Sequence, residues 1–316
     1  MNTLEIFKSL SDETRIRILN ILSYEPLCVN EIIEILDMGQ SRISRHLKIF
    51  LESKLLVTVR DGAKVYYGIS PQFRLHPIYD SWNQIRQIHT NDTLWDSDFM
   101  NQLTKDTQRT FQLLKKRKID SINFFDKFGD LQEKAQNKFV DSHFYRNQVI
   151  KLVPNNISIA IDAGCGTGWI SIELIKKVKK LICIDQSSAI LQKAKERFSI
   201  SDLKRIRFIS SSVEQIPLKK EFADVMVYSM ALHHVPNISL ALQEGYRILK
   251  KNGILVIADL EHHTIEEMRK NFADFWLGFH LEDLKKELKA LNFKILKTFK
   301  GRGKGKLNCI FIKSKK

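Results

Sequence analysis

A strand that runs directly into an alternating glycine turn constrains the fold of this chain more than any other feature. Ile157 to Ala163 reads as a buried strand, and Gly164 to Gly168 follows it with a glycine at every second position. A helix is predicted over Trp169 to Val178, and a second strand, Leu181 to Ile184, ends at Asp185. A carboxylate about 20 residues after such glycines can hold ribose hydroxyls. This order of elements predicts a nucleoside-binding unit.

The sheet that contains this unit is expected to extend through the C-terminal half of the chain. Further predicted strands are Arg207 to Ser210, Ala223 to Tyr228, Gly253 to Ala258, a strand near Phe293 to Phe299, and Leu307 to Ile312. Strands that alternate with helices favour a doubly wound, Rossmann-like α/β sheet, here of seven strands. Nicotinamide dinucleotides are disfavoured as ligands, because two residues separate the last two glycines of their fingerprint.

The segment Asp162-Ala163-Gly164-Cys165-Gly166-Thr167-Gly168 resembles the first motif of class I S-adenosylmethionine-dependent methyltransferases. Ala231 to His234 and Arg247 to Gly253 are similar to the ubiquinone-biosynthesis (UbiE-like) branch of that family. The resemblance implies S-adenosylmethionine as the cofactor and S-adenosylhomocysteine as the product. The residues that it assigns to the donor are Asp162, Gly164, Cys165, Gly166, Thr167, Gly168, Asp185, Gln186, Ser212, Val213, Glu214 and Ser229.

One departure from that family follows the third strand, where an Asp usually accepts a hydrogen bond from the adenine amine. Here the run is Ser212-Val213-Glu214. A serine hydroxyl can still accept that hydrogen bond, although without a charge. Either donor affinity is weaker in this chain, or Glu214 contributes to binding.

The methyl acceptor is expected beyond the carboxyl ends of the strands, where ligands bind in open parallel sheets. A sulfonium donor is already activated, so the protein has to align an acceptor and, optionally, supply a base. The candidates for these catalytic tasks are Asp259, His263, His234 and Tyr145. For His233 and His234, structural hydrogen bonding, a general base and a small metal site are open interpretations. No ligand spacing of a known metal site is met, so we expect no metal.

The first 70 residues carry a helix, a second helix, a tight turn, a third helix and a hairpin. Helices are predicted after Ser11-Asp12-Glu13, over Val29 to Leu36 and over Ser41 to Ser53, and the alternating strands Leu56 to Arg60 and Ala63 to Ile69 flank an Asp-Gly turn. In the third helix, Ile43, Leu47, Phe50 and Leu51 share an apolar face. The order predicts a winged helix-turn-helix.

Phe7 to Arg15, Ser41 to Leu47 and Val65 to Tyr67 resemble the ArsR family of transcription regulators. The resemblance implies a homodimer that reads two half-sites of a double-stranded DNA operator. The residues expected to contact DNA are Gln40, Ser41, Arg42, Ser44, Arg45, His46, Lys48, Arg60 and Lys64. Some members sense metals through Cys-Val-Cys; the matching run here is Cys28-Val29-Asn30, which lacks one thiol ligand.

Residues 71–150 contain apolar side chains at helical spacing in a polar background. We expect amphipathic helices that serve as dimer contacts, as a spacer and as a lid over the donor, with Tyr145 and Phe128 either lining the pocket or packed in the core. The predicted organisation is a winged helix-turn-helix at 1–70, a helical connector at 71–150 and a methyltransferase domain at 151–316.

The net charge of +15 is distributed unevenly. The run from Lys294 to Lys316 contains no acidic residue, and Lys300, Arg302, Lys304 and Lys306 alternate there with glycines. This run is either a solvated surface or a phosphate-binding loop. No apolar run reaches the length of a membrane span, and the first ten residues lack a signal-peptide core, so we expect a cytoplasmic protein.

Three functions are compatible with these patterns. The first is a DNA-binding transcription regulator fused to a methyltransferase that acts on a small molecule. The second is a repressor that senses S-adenosylmethionine or S-adenosylhomocysteine without catalysis, and the third is a metal-responsive ArsR-type repressor. The complete glycine motif and Asp185 favour the first two. An open acceptor cavity would favour the enzyme, and a filled one the sensor.

Overall fold

The computed structural model of the chain describes residues 2–61, 64–74, 76–85, 97–136 and 138–316. The chain divides into two compact units, Met1–Ile119 and Asp120–Lys316. The segment predicted as a connector, residues 71–150, is therefore shared between the two units. None of the helices in the described part of the chain is long and apolar enough to cross a membrane.

The first unit is a winged helix-turn-helix with additional helices. Its elements are α1 (Thr3–Leu10), α2 (Glu13–Leu22), β1 (Leu27–Cys28), α3 (Val29–Leu36), α4 (Gln40–Glu52), β2 (Leu56–Asp61), β3 (Lys64–Ile69), α5 (Pro71–Arg74), α6 (Pro77–Ile85) and the first part of α7 (Ser97–Gln136). The strands form a small antiparallel sheet in the order β1-β3-β2. Helix α1 was not predicted from the sequence. Asn2 caps it by accepting a hydrogen bond from the Leu4 N–H.

Local sequence explains where the helices of the winged helix-turn-helix begin and which face they bury. The Asp12 carboxylate accepts a hydrogen bond from the Arg15 N–H at 3.0 Å, and α2 begins directly after this cap. On α4, Ile43, Leu47 and Phe50 are buried in the core of the unit, which confirms the apolar face predicted for the third helix. Burial of these three side chains fixes the opposite face of α4 toward solvent.

A buried ion pair attaches α7 to this core. Asp106 on α7 is fully buried and accepts two hydrogen bonds from the Arg17 guanidinium, at 2.6 and 2.9 Å. Beside it, the Asn20 amide donates to the Thr107 hydroxyl at 3.0 Å. A charge buried in this way is tolerated only when it is paired and hydrogen-bonded, so this contact specifies how α2 and α7 pack.

The second unit is a doubly wound α/β domain. After α7 its elements are α8 (Ser142–Leu152), β4 (Ile157–Ala163), α9 (Trp169–Leu174), β5 (Val178–Asp185), α10 (Ser188–Lys195), α11 (Ile200–Leu203), β6 (Ile206–Ser210), β7 (Ala223–Ser229), α12 (Ile238–Ile248), β8 (Leu249–Leu260), α13 (Glu266–Phe272), α14 (Leu281–Ala290), β9 (Lys294–Gly301) and β10 (Cys309–Lys315). A short 3₁₀ turn covers Leu232–His234.

The seven strands lie in the order β6-β5-β4-β7-β8-β10-β9. The first five are parallel, whereas β10 pairs antiparallel with both β8 and β9. The predicted Rossmann-like sheet of seven strands is confirmed. The helix predicted to reach Val178 is shorter: α9 ends at Leu174, the Lys177 N–H bonds the Leu174 carbonyl, and Val178 already belongs to β5.

Candidate functional site

A cavity of about 1160 Å³, the solvent at its mouth included, opens at the carboxyl ends of the parallel strands. The predicted donor residues that line it are Gly164, Cys165, Gly166, Thr167, Asp185, Gln186, Ser212, Val213, Glu214 and Ser229. The turn after β4, the acid that ends β5 and the loop after β6 are adjacent because parallel strands end at one edge of the sheet. Asp162 and Gly168 lie outside the lining.

The glycine turn has two positions at which only glycine fits well. Gly164 has φ +73°, and a Cβ there would lie 2.6 Å from the Cβ of Ala231. Gly166 has φ +52°, and a Cβ there would meet no atom within 4 Å. Gly166 therefore presents bare backbone to the open cavity, which is the surface on which a ligand can approach the main chain closely.

Asp185 shapes the turn as well as lining the cavity. Its Oδ2 accepts a hydrogen bond from the Gly166 N–H at 3.0 Å, and its Oδ1 accepts one from the Ser187 N–H at 3.0 Å. Each carboxylate oxygen has further lone-pair capacity, so these bonds leave acceptor sites for ligand hydroxyls. The acid predicted from its distance to the glycines thus lies directly against them.

Asp162 supports the turn from within the core. It is 1% exposed, and its Oδ2 accepts a hydrogen bond from the Ser171 hydroxyl at 2.5 Å. Burial raises the pKa of Asp162 to about 7; the charge of Asp185 adds to this rise and the Ser171 hydrogen bond opposes it. Gly168, with φ +85°, packs against Ala194. Both residues hold the turn in place.

The loop after β6 contains the departure from the family pattern. The Ser212 hydroxyl donates to Glu214 Oε2 at 3.0 Å, and Glu214 Oε1 accepts a hydrogen bond from the Asn237 N–H at 2.9 Å. These two hydrogen bonds fix the orientation of the Glu214 side chain, which supplies a carboxylate to the cavity lining. Ser229 also lines the cavity, and its hydroxyl is buried without a hydrogen-bond partner in the described part of the chain.

Of the four catalytic candidates, His234 and Tyr145 line the cavity. The His234 Nδ1 lies 3.2 Å from the Ala273 carbonyl. A carbonyl oxygen only accepts, so Nδ1 carries the proton and Nε2 carries the lone pair. Burial, together with the neighbouring His233, holds the pKa of His234 well below its ordinary value. His234 is thus a neutral imidazole whose Nε2 can accept a proton, and its lowered pKa makes it a weaker base than a free imidazole.

Asp259 and His263 do not reach the cavity. Asp259 is fully buried and accepts hydrogen bonds from His233 Nδ1 at 2.6 Å and from the N–H groups of Leu232 and Leu260 at 2.9 and 2.8 Å. The His263 Nδ1 accepts from the Ile265 N–H at 3.2 Å. Their predicted acceptor-side role finds no support in this geometry, because other groups of the fold hold both side chains away from the lining.

His233, His234 and Asp274 bring ligand atoms within 4.8 Å of one another. Burial lowers the pKa of His233, but the charges of Asp259 and Asp274 outweigh it and raise the value to about 9. His233 is therefore a cation, and the His234 nitrogen nearest Asp274 donates to a carbonyl. The His233 Nε2 and the His234 Nδ1 lie 3.8 and 3.6 Å from the Asp274 carboxylate, so the three side chains form one charged polar cluster beside the cavity.

Several side chains of the cavity wall were not predicted from the sequence. Arg146 on α8 and Trp169 at the start of α9 line it, and so do Met230, Val235 and Pro236. The Arg146 guanidinium lies 4.9 Å from the centre of the Trp169 ring. A tryptophan directly after a glycine turn was the available sequence signal for Trp169, whereas no local pattern distinguishes Arg146 from other basic residues.

The candidate DNA-contacting face lies on α4 and the hairpin of the first unit. The side chains exposed there are Gln40, Ser41, Arg42, Ser44, Arg45, Lys48, Arg60 and Lys64. His46 differs: it is 8% exposed, and its Nδ1 lies 3.7 Å from the Asp12 carboxylate. Burial lowers the pKa of His46. Its predicted DNA contact is incompatible with this buried position, since helical periodicity turns it inward beside Leu47.

Two family models match separate parts of the chain. Residues 12–56 match the model described as bacterial regulatory protein, arsR family, and residues 155–306 match the model described as methyltransferase domain. The first match covers α2 to α4 of the winged helix-turn-helix. The second covers six of the seven strands of the larger sheet, β4 to β9, and the cavity lining except Tyr145 and Arg146.

Proteins with curated descriptions resemble the second unit. The ubiquinone/menaquinone biosynthesis C-methyltransferase UbiE of Rickettsia prowazekii is 30% identical over 140 residues, which are 42% of this chain and 56% of that protein. The chloroplastic 2-methyl-6-phytyl-1,4-hydroquinone methyltransferase of Spinacia oleracea is 30% identical over 131 residues, 41% of this chain and 37% of that protein. The chain thus spans about half the length, or less, of these relatives.

Among solved structures, a chain from the complex of the Haloferax volcanii Trm112 methyltransferase activator with a methyltransferase superimposes with a TM-score of 0.51. The identity is 14%, over 60% of this chain and 96% of that one. At this identity the likeness concerns the fold alone, and it agrees with the doubly wound sheet described above.

Proposed function

Because this chain joins an arsR-type helix-turn-helix segment to a methyltransferase domain, we propose that it is a DNA-binding transcription regulator that also methylates a small molecule with S-adenosylmethionine. The observation that carries the proposal is the contact between Asp185 and Gly166 at the edge of an open cavity. It combines a ribose-binding acid with an unobstructed backbone surface in one place.

The cavity fits the donor in three respects. Asp185 would hold the ribose hydroxyls, and Gly166 would let the chain approach the donor without a side chain between them. The Ser212 and Glu214 pair would receive the adenine amine in place of the usual Asp. The buried hydroxyl of Ser229 has no partner in the described residues, and a ligand would satisfy it.

The bound donor would supply an activated methyl group on a sulfonium. The protein then has to align the acceptor and exclude water. Tyr145 and His234 are the predicted catalytic residues that line the cavity. With its proton on Nδ1 and its lone pair on Nε2, His234 is able to remove a proton from the acceptor during transfer.

The acceptor would be small and partly apolar. In addition to the predicted donor residues, Tyr145, Met230, Val235 and Pro236 line the cavity. The relatives that carry small-molecule methyltransferase names fit this assignment. Space next to a candidate base favours catalysis over a role as a sensor of the donor only.

The metal-responsive alternative is weaker. The Cys28 thiol, at the start of α3, is partly buried, and desolvation raises its pKa. A thiolate rather than a thiol binds soft metals, so this environment disfavours the ligand that remains of the motif.

The regulator would act as a homodimer on double-stranded operator DNA in the cytoplasm. On α1, Leu4 and Phe7 are 60% and 58% exposed, and an apolar helix face of this kind is covered in a dimer. The four free cysteines fit a reducing compartment.

The test is calorimetric titration of the full chain with S-adenosylmethionine and S-adenosylhomocysteine. We expect both to bind, and Asp185→Ala to abolish measurable binding while Glu173→Ala, an exposed acid on α9, leaves it unchanged. Asp185→Asn separates loss of charge from loss of the turn contact. If neither compound binds to the wild type, the donor site and the methyltransferase function are both wrong.

A further inference from the structure

The second unit carries most of the positive charge of the chain. Residues 120–316 contain 34 Lys or Arg and 22 Asp or Glu, whereas residues 1–119 contain 17 and 14. The net charge is therefore +12 in the second unit and +3 in the unit with the arsR-type segment. Sequence-independent affinity for DNA depends on contacts of Lys and Arg with phosphates. The charges available for such contacts are thus concentrated in the second unit.

The glycine loop between β9 and β10 packs against α8. Gly303 has φ +56°, and a Cβ there would lie 2.5 Å from the Asp141 carboxylate and 2.6 Å from the Phe144 Cβ. Asp141 caps α8 by accepting from the Phe144 N–H at 3.0 Å and also accepts from the Lys304 N–H at 2.9 Å. A carboxylate bonded to the loop backbone would repel a phosphate at the same place. The interpretation of this loop as a phosphate site is therefore disfavoured.

The two strands that flank this loop place four lysines on one face of the sheet. In the antiparallel pairing of β9 with β10, Lys297 is opposite Lys313, and Lys294 is opposite Lys315. Residues directly opposite each other share a face of the sheet, with their Cβ atoms about 5 Å apart. Lys313 and Lys315 share that face because alternate residues of a strand point to the same side. The four side chains therefore form one group.

A bulge at Leu296 brings the two lysines of β9 together. Lys294 and Lys297 are three residues apart, so a regular strand would turn them to opposite faces. The pairing with β10 passes from Lys297 directly to Ile295 and leaves Leu296 without an opposite residue. An extra residue of this kind re-aims the neighbouring side chains. We call the resulting group the lysine face: Lys294, Lys297, Lys313 and Lys315.

The lysine face does not contribute to the stability of the sheet. Like charges directly opposite each other on paired strands are destabilising. Within the described part of the chain no carboxylate forms an ion pair with these four lysines, although Glu261 is paired with Lys300 on the same strand. Lysines on an edge strand such as β9 can prevent pairing with other chains, but β10 lies between β8 and β9. Edge protection therefore does not account for Lys313 and Lys315.

Resting on the DNA-binding function proposed above, we infer that the lysine face is a second, sequence-independent contact with the phosphates of double-stranded DNA. Lys294 and Lys297 are exposed, and Lys313 and Lys315 are half-buried. Alternate residues of a strand are about 7 Å apart, so the four charges spread over a patch that can meet several phosphates. Lysine binds a phosphate as a point charge. Such contacts read no base, and they would add affinity to the specificity that α4 supplies.

An anionic membrane is a less suitable partner for this face. Proteins that lie on a membrane insert apolar side chains into the lipid in addition to their basic residues. Among the described residues of β9 and β10, Leu296 is the one large apolar side chain that is exposed, at 45%. A single leucine provides much less apolar surface than the insertion of a helix face, whereas binding to phosphates requires only the charges.

The experiment measures binding of the full chain to labelled double-stranded DNA of mixed sequence, by fluorescence anisotropy at several salt concentrations. We expect Lys297→Gln combined with Lys313→Gln to weaken binding by about 10-fold or more at low salt. The slope of log K against log salt should decrease by about 2, since each phosphate contact contributes about 0.9. Urea unfolding should show that this variant is at least as stable as the wild type, because a pair of like charges is removed.

Lys179→Gln combined with Lys204→Gln is the matched control, because both lysines are exposed in the second unit outside the lysine face. This control removes the same net charge and should leave the slope unchanged. Equal effects of the two double variants, or an unchanged slope in the variant of the lysine face, would overturn the inference. The DNA-binding function would still stand if Arg45→Ala on α4 weakened binding.

Two further outcomes separate this inference from the proposed function. Binding to phosphatidylserine vesicles that depends on the lysine face, with DNA binding unchanged in the same variant, would assign the face to a membrane and overturn the inference alone. A wild type that binds no DNA under any of these salt conditions would overturn the regulator function as well.

Discussion

The His233 Nδ1 lies 2.6 Å from the Asp259 carboxylate, and both side chains are fully buried. Asp259 also accepts two backbone N–H groups, one of them from Leu232 next to the histidine. The 3₁₀ turn that carries His234 is thereby attached to the end of β8. The charged pair thus positions a catalytic candidate and does not itself line the cavity.

This pair predicts a particular dependence of stability on pH. The pKa of His233 is raised from 6.5 to about 9 in the folded chain. The contribution of protonated His233 to the free energy of unfolding is therefore fully present below about pH 6.5. It is lost as the pH rises through about 9. We expect the free energy of unfolding, measured in urea, to fall over this interval.

Asp259→Asn tests the origin of that slope. The free energy of unfolding of this variant should be lower by about 3 kcal/mol or more at pH 7, because a buried cation loses its partner. The decrease of the free energy of unfolding between about pH 6.5 and about pH 9 should also become smaller. Asp283→Asn, at an exposed position, is the control. A wild-type slope retained in Asp259→Asn would contradict the assignment to His233.

His234→Ala is predicted to separate catalysis from donor binding. We expect kcat to fall by about 10²-fold or more once an acceptor is identified, since the base is lost, with donor affinity within about 2-fold of wild type. Single-turnover assays with labelled donor measure the rate, and calorimetry measures the affinity. Unchanged kcat would exclude His234 as the base.

The exposed face of α4 is predicted to bind operator DNA. Arg45→Ala should weaken binding and, if Arg45 contacts a phosphate, reduce the slope of log K against log salt by about 1. Lys105→Gln, an exposed change on α7, is the control in fluorescence anisotropy measurements. His46→Ala should instead lower stability, because His46 is buried. A loss of DNA affinity confined to His46→Ala, at unchanged stability, would reverse this assignment.

Gly303→Ala is predicted to affect the cavity from a distance. The added Cβ would meet Asp141 and Phe144 at a backbone angle that alanine rarely adopts. We expect a loss of about 1–3 kcal/mol in stability and weaker S-adenosylmethionine binding through displacement of α8. At Gly39 a Cβ meets no atom within 4 Å, so Gly39→Ala should change donor binding little. Tight donor binding in a destabilised Gly303→Ala variant would show that the turn acts on stability alone.

The sequence by itself determined the elements that depend on local periodicity and local backbone geometry. The strand Ile157–Ala163, the glycines after it, Asp185 at the end of β5 and the apolar face of α4 were all predictable. Each of these follows from spacing within about 30 residues, because side-chain alternation, helix periodicity and positive φ are properties of short segments.

Only the tertiary structure decided which polar side chains reach the cavity. His233 and His234 are neighbours in the chain, yet one is bonded to Asp259 in the core and the other lines the cavity. Arg146 reaches the wall because Asp141, at the start of its helix, is bonded to a turn 163 residues away in the chain. Such contacts depend on the packing of distant segments, and no local pattern encodes which of several histidines, acids or arginines that packing brings together.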